Sequence, residues 1–130
     1  MDRIILGKHT LSAIIALTED EQRIGLMRQP WPPPVMVFPY ESSRVRKFWM
    51  KDTPSPLDII FCRAGQVLSV VAGEPLCLTH VGPDEPSDLV IELPKGMAQN
   101  LDIVSGTKVK VVYGLFTLAR KIELKLSKNC

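Results

Sequence analysis

The sequence predicts a mainly β protein of the α+β class, built on a small antiparallel sheet that curls like a barrel and carries one or two short helices. Three observations lead to this prediction. Short apolar segments rich in Val and Ile recur along the 130 residues, turn residues such as Gly and Pro separate them, and only two brief stretches carry helix signals. Many short strands with small helical insertions are typical of sheets that close or curl.

The chain begins with two predicted strands and a short helix. Residues 4–6 and 11–17 are apolar and rich in Ile, and the turn sequence GKHT joins them, so they fit a pair of strands. Thr18 and Glu21 have the spacing of a capping box, which starts a helix. This helix must end before the prolines of QPWPPP, because proline lacks an amide donor and restricts the residue before it.

The later strands follow the same pattern. We predict them at residues 35–38, 45–50, 57–61, 67–72, 89–93 and 108–113, with a turn in PYESSR between the first two. The chain between 73 and 88 is rich in Pro and acidic side chains and predicts a loop, while residues 94–106 suit a short helix and a tight turn. Residues 1–113 are therefore predicted to form a single β-rich domain, in keeping with a usual domain size of roughly 100–150 residues.

Residues 114–130 are predicted to be a strand that extends the same domain. Ile122, Leu124 and Leu126 alternate with charged side chains, which is the pattern of a half-buried strand. Such a strand must bury its apolar row against its own sheet or against another chain, because an exposed edge invites pairing. We predict that these three residues lie at or beside an inter-subunit contact, with closure of the protein's own sheet as the alternative.

The composition argues against several classes of function. Sixteen basic and 14 acidic residues give a net charge of +2, which provides no basic field to attract nucleic acid. The three cysteines are an odd number without C-x-x-C spacing, so we expect a reducing compartment and neither a disulfide framework nor a cysteine zinc site. No apolar run could cross a bilayer, and no secretory signal pattern occurs. We expect a soluble, cytoplasmic protein, or part of a particle assembled in the cytoplasm, with no membrane partner.

The stretch FWMKDTPSPLDIIF, residues 48–61, has the most unusual mixture of side chains. Side chains of a strand alternate between faces, so Trp49 should share a face with Lys47 and Lys51. The two prolines that follow make a rigid connection to the next strand. A tryptophan between two ammonium groups is a surface that could bind a planar or anionic molecule.

Asp58 lies in the same stretch, within an otherwise apolar strand. Burying its carboxylate requires a cationic or hydrogen-bonding partner, and Lys51, Arg23 and Arg46 are the candidates. Arg23, Trp49, Lys51 and Asp58 could thus line a ligand-binding pocket, with the arginine supplying a fork of donors and the tryptophan a stacking face. The alternative is a structural cluster of ion pairs and cation–π contacts.

No other group of residues matches a known catalytic or metal-binding pattern. His80 with Asp84, Glu85 and Asp88 offers metal-binding side chains, but their spacing matches no fixed motif, and a solvated acidic loop is the simpler interpretation. Cys77 precedes His80 by three residues, yet nothing places a base against its sulfur, and no G-x-S-x-G motif occurs. We expect neither a metal nor a cofactor.

Several motifs resemble those of a known family. They are RIGLM at 23–27, VFP at 37–39, FWMKDTPSPLDIIF at 48–61, VIELPKG at 90–96 and SGTKVKV at 105–111. In this order and at this separation they resemble the domain of unknown function 192 (DUF192) family over about residues 13–113. The resemblance implies a compact, largely β domain and carries no established activity. The chain departs from the family pattern at Asp52, which replaces Asn, and at 33–35, where Pro-Pro-Val replaces Gly-Met-Leu.

These observations favour a non-enzymatic binding or assembly module, a subunit docked in a larger protein assembly of which a phage particle is one example. Protein partners or self-association are expected. The alternative is a domain that binds a small ligand, or an enzyme, using the polar cluster around Arg23, Trp49, Lys51 and Asp58. A deep polar pocket at that cluster favours the alternative, whereas a filled cluster favours assembly.

Overall fold

The computed structural model describes residues 1–128, which form two β-sheets and three helices. The strands are β1 (Arg3–Leu6), β2 (His9–Ser12), β3 (Ile14–Ile15), β4 (Met36–Val45), β5 (Leu57–Arg63), β6 (Gln66–Gly73), β7 (Pro86–Pro94) and β8 (Val109–Val112). The helices are α1 (Glu19–Ile24), α2 (Met97–Asn100) and α3 (Leu115–Lys128). The predicted mainly β, α+β class is confirmed.

The smaller sheet covers one face of the larger one. Its strand order is β2-β1-β8, and that of the larger sheet is β3-β4-β7-β5-β6, where every pair is antiparallel except β3 with β4. Apolar side chains of both sheets, among them Ile4, Leu6, Ile60 and Ile91, form the first core cluster between them. Each such buried side chain stabilises the fold by roughly 1.5–3 kcal/mol relative to an exposed one.

The predicted curling of one sheet into a barrel is wrong, because the strands belong to two separate sheets. An isolated bridge between Gln66 and Lys108 brings one edge of each sheet together. The strands of the smaller sheet have only four residues each. This bridge is not part of a ladder, so in residues 1–128 the two sheets stay separate.

A second core cluster lies on the opposite face of the larger sheet. Phe38, Phe61 and Val90 point to this face, and Phe48 and Met50 from the loop after β4 pack on it. Phe48 meets Phe38 and Phe61 edge to face, with ring centroids 5.3 and 5.7 Å apart, which is a favoured aromatic geometry. The candidate site described below lies at this face.

Helix α1 begins at the predicted capping box. The Thr18 hydroxyl accepts a hydrogen bond from the amide of Glu21 at 3.0 Å, and the Glu21 carboxylate accepts one from the amide of Thr18 at 3.0 Å. The helix ends at Gly25, whose φ of 48° is easily adopted by glycine. The sequence therefore placed the start of this helix correctly, whereas the helix ends earlier than the prolines alone required, and Leu26 and Met27 lie in the turn that follows it.

Two predicted strands have different boundaries in the structure. The segment 11–17 breaks at Ala13, so its halves fall into β2 of the smaller sheet and β3 of the larger one. The segment 45–50 is not a strand, because β4 continues to Val45 through residues that were predicted to turn. A register shift between Pro39 and Arg44 accommodates that run, as β-bulges commonly do.

The predicted C-terminal strand is also wrong, since residues 115–128 form helix α3; Asn129 and Cys130 lie outside the described residues. Leu, Ala, Arg, Lys and Glu dominate this segment, and these strong helix formers outweigh the alternation that suggested a strand. Asp2 fixes the start of the helix, because its carboxylate accepts hydrogen bonds from the Gly114 amide at 2.7 Å and the Thr117 hydroxyl at 2.6 Å.

Candidate functional site

A cavity of about 300 Å³ opens on the second face of the larger sheet. Helix α1 and the following residues to Met27 form one wall, and residues 47–53 form the other. Side chains of β4 and β7 form its buried end, where Phe38, Tyr40 and Glu92 lie. We call this space the Glu92 cavity. Its volume is at the lower limit of typical ligand pockets, which run from roughly 300 to 1,000 Å³.

Glu92 is the most unusual side chain of the cavity. It is 4% exposed and lies on β7 between Met36 of β4 and Ile59 of β5. Within residues 1–128 its carboxyl group has neither a hydrogen-bond donor nor a cation as a partner. Burial raises the pKa of Glu92 to about 8, and burial is its only cause. Buried polar groups normally have partners, so Glu92 is an exception that requires an explanation.

Tyr40 lines the same cavity and lies on the same face of the sheet as Glu92. Burial raises the pKa of Tyr40 to about 12; the charge of Arg46 acts against this shift, and the charge of Glu92 adds to it. The Arg46 guanidinium stacks on the Tyr40 ring, 3.5 Å from its centroid. Arg46 also donates to the carbonyls of Ser87 and Ser42. Its donors therefore point to backbone groups and leave Glu92 without a cation.

Helix α1 is held over the cavity by Gln22. The Nε2 atom of Gln22 donates to the carbonyl of Ala16 at 3.1 Å and to that of Pro39 at 3.0 Å. Both bonds tie the helix to the adjoining strands. They also occupy the amide donors of Gln22, so this neighbouring side chain does not satisfy Glu92 either.

The opposite wall is held by backbone hydrogen bonds to the loop after β6. Phe48 and Val81 exchange two such bonds, of 2.8 and 2.7 Å, and the Met50 amide donates to the Cys77 carbonyl at 2.9 Å. Lys47 donates to Gly82 and to the Asp84 carboxylate. The main chain thus fixes this wall, and successive side chains point alternately to the core and to the cavity rim.

The structure brings three of the four predicted site residues together. Arg23, Trp49 and Lys51 all line the Glu92 cavity. As predicted, Trp49 shares the exposed side of its segment with Lys51, whose ammonium lies 5.3 Å from the indole centroid. His80 also stacks on Trp49, with ring centroids 5.0 Å apart. The predicted alternation of side chains between two sides is therefore correct, although the segment is a loop rather than a strand.

Asp58 does not belong to this cavity. It projects to the other face of the sheet, where its Oδ2 atom accepts hydrogen bonds from the amides of Gly96 and Ala98, each at 3.0 Å. The prediction of a basic partner is therefore wrong, because the amides at the start of α2 satisfy the carboxylate instead. Of the alternative structural cluster, the cation–π contact between Lys51 and Trp49 is present, whereas Arg23 pairs with the exposed Asp20 at 3.5 Å instead of with another member of the cluster.

The acidic residues near His80 are dispersed. Asp84 pairs with Lys47 at 2.9 Å and Glu85 with Arg63 at 3.9 Å, while Asp88 accepts from the Ala64 amide. No three His, Cys, Asp or Glu side chains within residues 1–128 are grouped as a metal site would need. The side chains that suggested a metal site thus have other contacts.

Cys62 is a poor candidate for a nucleophile. Its side chain is fully buried in the first core cluster. Burial raises the pKa of its thiol to about 12, and the charge of Asp88 adds to the shift. A reactive cysteine needs a lowered pKa and access to solvent, so this thiol is a packing residue.

The predicted interface residues lie on helix α3 rather than on one face of a strand. Ile122 and Leu126 are four residues apart and share one side of the helix, whereas Leu124 points elsewhere and is half-buried. Leu115, Phe116 and Leu118, at the start of the helix, are exposed as well. None of the helices in the described part of the chain is long and apolar enough to cross a membrane.

Glu92 and Tyr40 were missed at the sequence level. The signal for Glu92 was present, because a charged residue stands inside the apolar run VIELP. The same argument that singled out Asp58 in LDIIF applies to it. Tyr40 could not have been found, since its segment was predicted to be a turn.

Comparison with known families decides the relationship of this chain. A family model described as "Uncharacterized ACR", DUF192, matches residues 3–111. The chain belongs to the DUF192 family. The predicted resemblance is therefore confirmed, and the helix α3 lies beyond the matched residues. Comparison with curated proteins gives no match.

Two solved structures share the fold of this DUF192 protein. A protein of unknown function from Novosphingobium aromaticivorans DSM 12444 is 28% identical, with a TM-score of 0.76 and coverage of 83% of each chain. A protein from Sinorhizobium meliloti 1021, described as a candidate transcription regulator, is 27% identical, with a TM-score of 0.77 and coverage of 85% of this chain and 92% of that one.

Proposed function

We propose that this DUF192 protein binds a small organic molecule in the Glu92 cavity. The observation that carries the proposal is the buried Glu92 carboxyl group, which faces the cavity without a partner among residues 1–128. Leaving a polar group buried and unpaired costs roughly 1–3 kcal/mol. A ligand that donates a hydrogen bond to Glu92 would remove this cost.

The remaining walls support the same proposal. Phe38, Phe48 and Trp49 supply aromatic surface, Leu26 and Met27 supply aliphatic surface, and a few polar groups converge on the space. Ligand sites commonly combine a mostly apolar lining with a small number of placed polar groups, and a carboxyl with a strongly shifted pKa is frequent in them. The cavity thus fits the second of the two functions predicted from the sequence.

The proposal is tested by screening fragments with the indole signal of Trp49 as a reporter. The chain has two tryptophans, so W31F leaves only the Trp49 indole N–H in a ¹H–¹⁵N spectrum. W49F is the matched control, because Trp31 does not line the cavity. Fragments that shift the Trp49 signal in W31F and leave the Trp31 signal unchanged in W49F support the proposal. A diverse library that produces no such fragment contradicts it.

Assembly is the second candidate function, and helix α3 is the observation that favours it. Leu115 and Phe116 are 87% and 81% exposed, and Leu118 and Ile122 are also exposed. Apolar side chains gathered on one exposed element often mark a contact with another protein. The mass of the full chain in solution tests this candidate: an oligomer that L118K/I122K converts to a monomer supports self-association, and a monomer at all concentrations argues against it.

A further inference from the structure

The charges of the Glu92 cavity are separated along its depth. At the buried end lies the carboxyl of Glu92, a residue that is 4% exposed as a whole. At the open end lie exposed basic side chains, Arg23, Lys47 and Lys51, with one exposed acidic side chain, Glu19. A ligand that fills the cavity therefore meets an acidic group inside and mostly basic groups outside.

The basic side chains differ in how far they are already engaged. Lys47 donates to both Gly82 and Asp84. Arg23 forms a single ion pair with Asp20, and both side chains are largely exposed, so this pair is worth little. Lys51 joins no ion pair among the described residues and contacts the Trp49 ring. Lys51 and, after it, Arg23 are the cations that an acidic group of a ligand would meet.

None of the donors near the buried end forms a hydrogen bond with Glu92 among residues 1–128, and this includes the Tyr40 hydroxyl. The amide group of Gln22 already donates to two carbonyls, and Arg46 donates to Ser87 and Ser42. A ligand in the cavity is therefore well placed to supply the hydrogen-bond donor that Glu92 lacks. An N–H group is the appropriate partner, and a cationic one forms the stronger bond.

We infer that the ligand of this cavity is a small amphoteric molecule, in which an amino group contacts Glu92 and an acidic group faces Lys51 and Arg23. The part between these groups lies against the rings of Phe48 and Trp49. This inference rests on the proposed function and adds the chemical class of the ligand. The cavity volume of about 300 Å³ limits that class to molecules of roughly amino-acid size.

The protonation state of Glu92 agrees with this arrangement. Burial holds the pKa of the carboxyl at about 8, so the empty cavity contains a neutral acid at pH 7. An ammonium group placed beside it favours the carboxylate, and binding then releases a proton. The charged and titratable groups that face the cavity with it are Glu19 and Arg23 from α1, Tyr40 from β4, and Lys47 and Lys51 from the loop.

Three probes with the same aromatic body separate the two ends of the ligand. Phenylalanine carries both the amino and the acidic group, 2-phenylethylamine carries only the amino group, and 3-phenylpropionate carries only the acidic group. Each is titrated into the W31F protein while the Trp49 indole signal is followed. Glu92→Gln and Lys51→Met, each in the W31F background, are the matched variants for the two ends of the cavity.

We expect phenylalanine to bind at least tenfold more tightly than either of the other probes. Glu92→Gln should weaken the binding of phenylalanine and of 2-phenylethylamine by tenfold or more, and it should not weaken the binding of 3-phenylpropionate. Lys51→Met should weaken the binding of phenylalanine and of 3-phenylpropionate by a few fold and leave the binding of 2-phenylethylamine unchanged. The inference is overturned if 3-phenylpropionate binds as tightly as phenylalanine and Glu92→Gln has no effect. The cavity would then still be a binding site. Failure of all three probes overturns the inference too, and the fragment screen then decides the proposed function separately.

Discussion

Tyr40 and Glu92 both line the buried end of one cavity, and each is an acid whose pKa is raised by burial. The pKa of Tyr40 reaches about 12 and that of Glu92 about 8, and the charge of Glu92 contributes to the shift of Tyr40. Two such groups on one sheet face are unusual in a structural core. The state of the cavity should therefore change with pH as Glu92 titrates.

The first prediction is a loss of stability as the pH rises. In the unfolded chain Glu92 titrates near its ordinary value of 4.5, whereas in the folded protein it titrates near 8. Between these values the folded protein holds more protons, so its free energy of unfolding falls as the pH increases. A pKa difference of one unit corresponds to about 1.36 kcal/mol, so the free energy of unfolding should fall by roughly 2–5 kcal/mol in total between the two pKa values.

Chemical denaturation from pH 5 to pH 9 measures this effect. Glu92→Gln removes the titrating group, so its curve should be flatter than that of the wild type and should cross above it at high pH. Glu74→Gln, at an exposed position, is the control and should keep the wild-type slope. Parallel curves for the wild type and Glu92→Gln would show that Glu92 is not buried and unpaired.

The second prediction concerns Asp58. Its carboxylate satisfies the amides of Gly96 and Ala98 at the start of α2, and Asp58→Ala would leave both donors without a partner. We expect a loss of roughly 2–4 kcal/mol in the free energy of unfolding, because two hydrogen bonds to a charged group are lost and two amide donors are left without an acceptor. Asp20→Ala, in an exposed pair, should change stability by less than about 1 kcal/mol. Equal effects of the two substitutions would contradict the capping role.

The third prediction concerns Gly82, which fixes the wall of the cavity. A Cβ atom at this position would lie 2.6 Å from the Arg46 carbonyl oxygen and 2.9 Å from the Phe61 ring, and φ is 151°. Gly82→Ala should therefore destabilise the protein by roughly 2–4 kcal/mol through the clash and the backbone strain. Gly106→Ala has a positive φ of 89° but open space around the new Cβ, so it measures the strain alone. A loss at Gly82 no larger than that at Gly106 would argue against the close packing.

The fourth prediction concerns helix α3. Its only buried side chain is Thr117, and it is anchored through Asp2 and through the partly exposed Arg120–Glu21 pair. A chain truncated after Tyr113 should still fold, with a free energy of unfolding lower by about 1–3 kcal/mol. Thermal unfolding followed by circular dichroism measures this. An unfolded product would show that α3 belongs to the core.

The sequence predicted the elements that depend on local chemistry and failed where tertiary context decides. The capping box of Thr18 and Glu21 is local, so the start of α1 was placed correctly. The alternation of Ile122, Leu124 and Leu126 was misleading, because strong helix formers fill the same segment and no sheet edge receives it. The run through Pro39 depends on a bulge against β7, which no short stretch of sequence encodes.

The candidate site was likewise predicted only in part, because tertiary context decides which face of the sheet a side chain joins. Arg23, Trp49 and Lys51 are recognisable as an unusual set of side chains, and the fold brings them to one cavity. Asp58 and Glu92 are equivalent in sequence, since each is a lone acid in an apolar strand. Only the pairing of strands shows that Asp58 faces the amides of α2 and that Glu92 faces the cavity.

The carboxyl ¹³C signal of Glu92, titrated with and without phenylalanine, tests the central claim most directly. Glu92→Gln assigns the signal by its disappearance. Without phenylalanine the account predicts a midpoint near pH 8, and with phenylalanine a midpoint at least one unit lower, because the bound ammonium stabilises the carboxylate. A midpoint near 4.5 in the empty protein, or one that phenylalanine at saturating concentration does not move, would contradict the account.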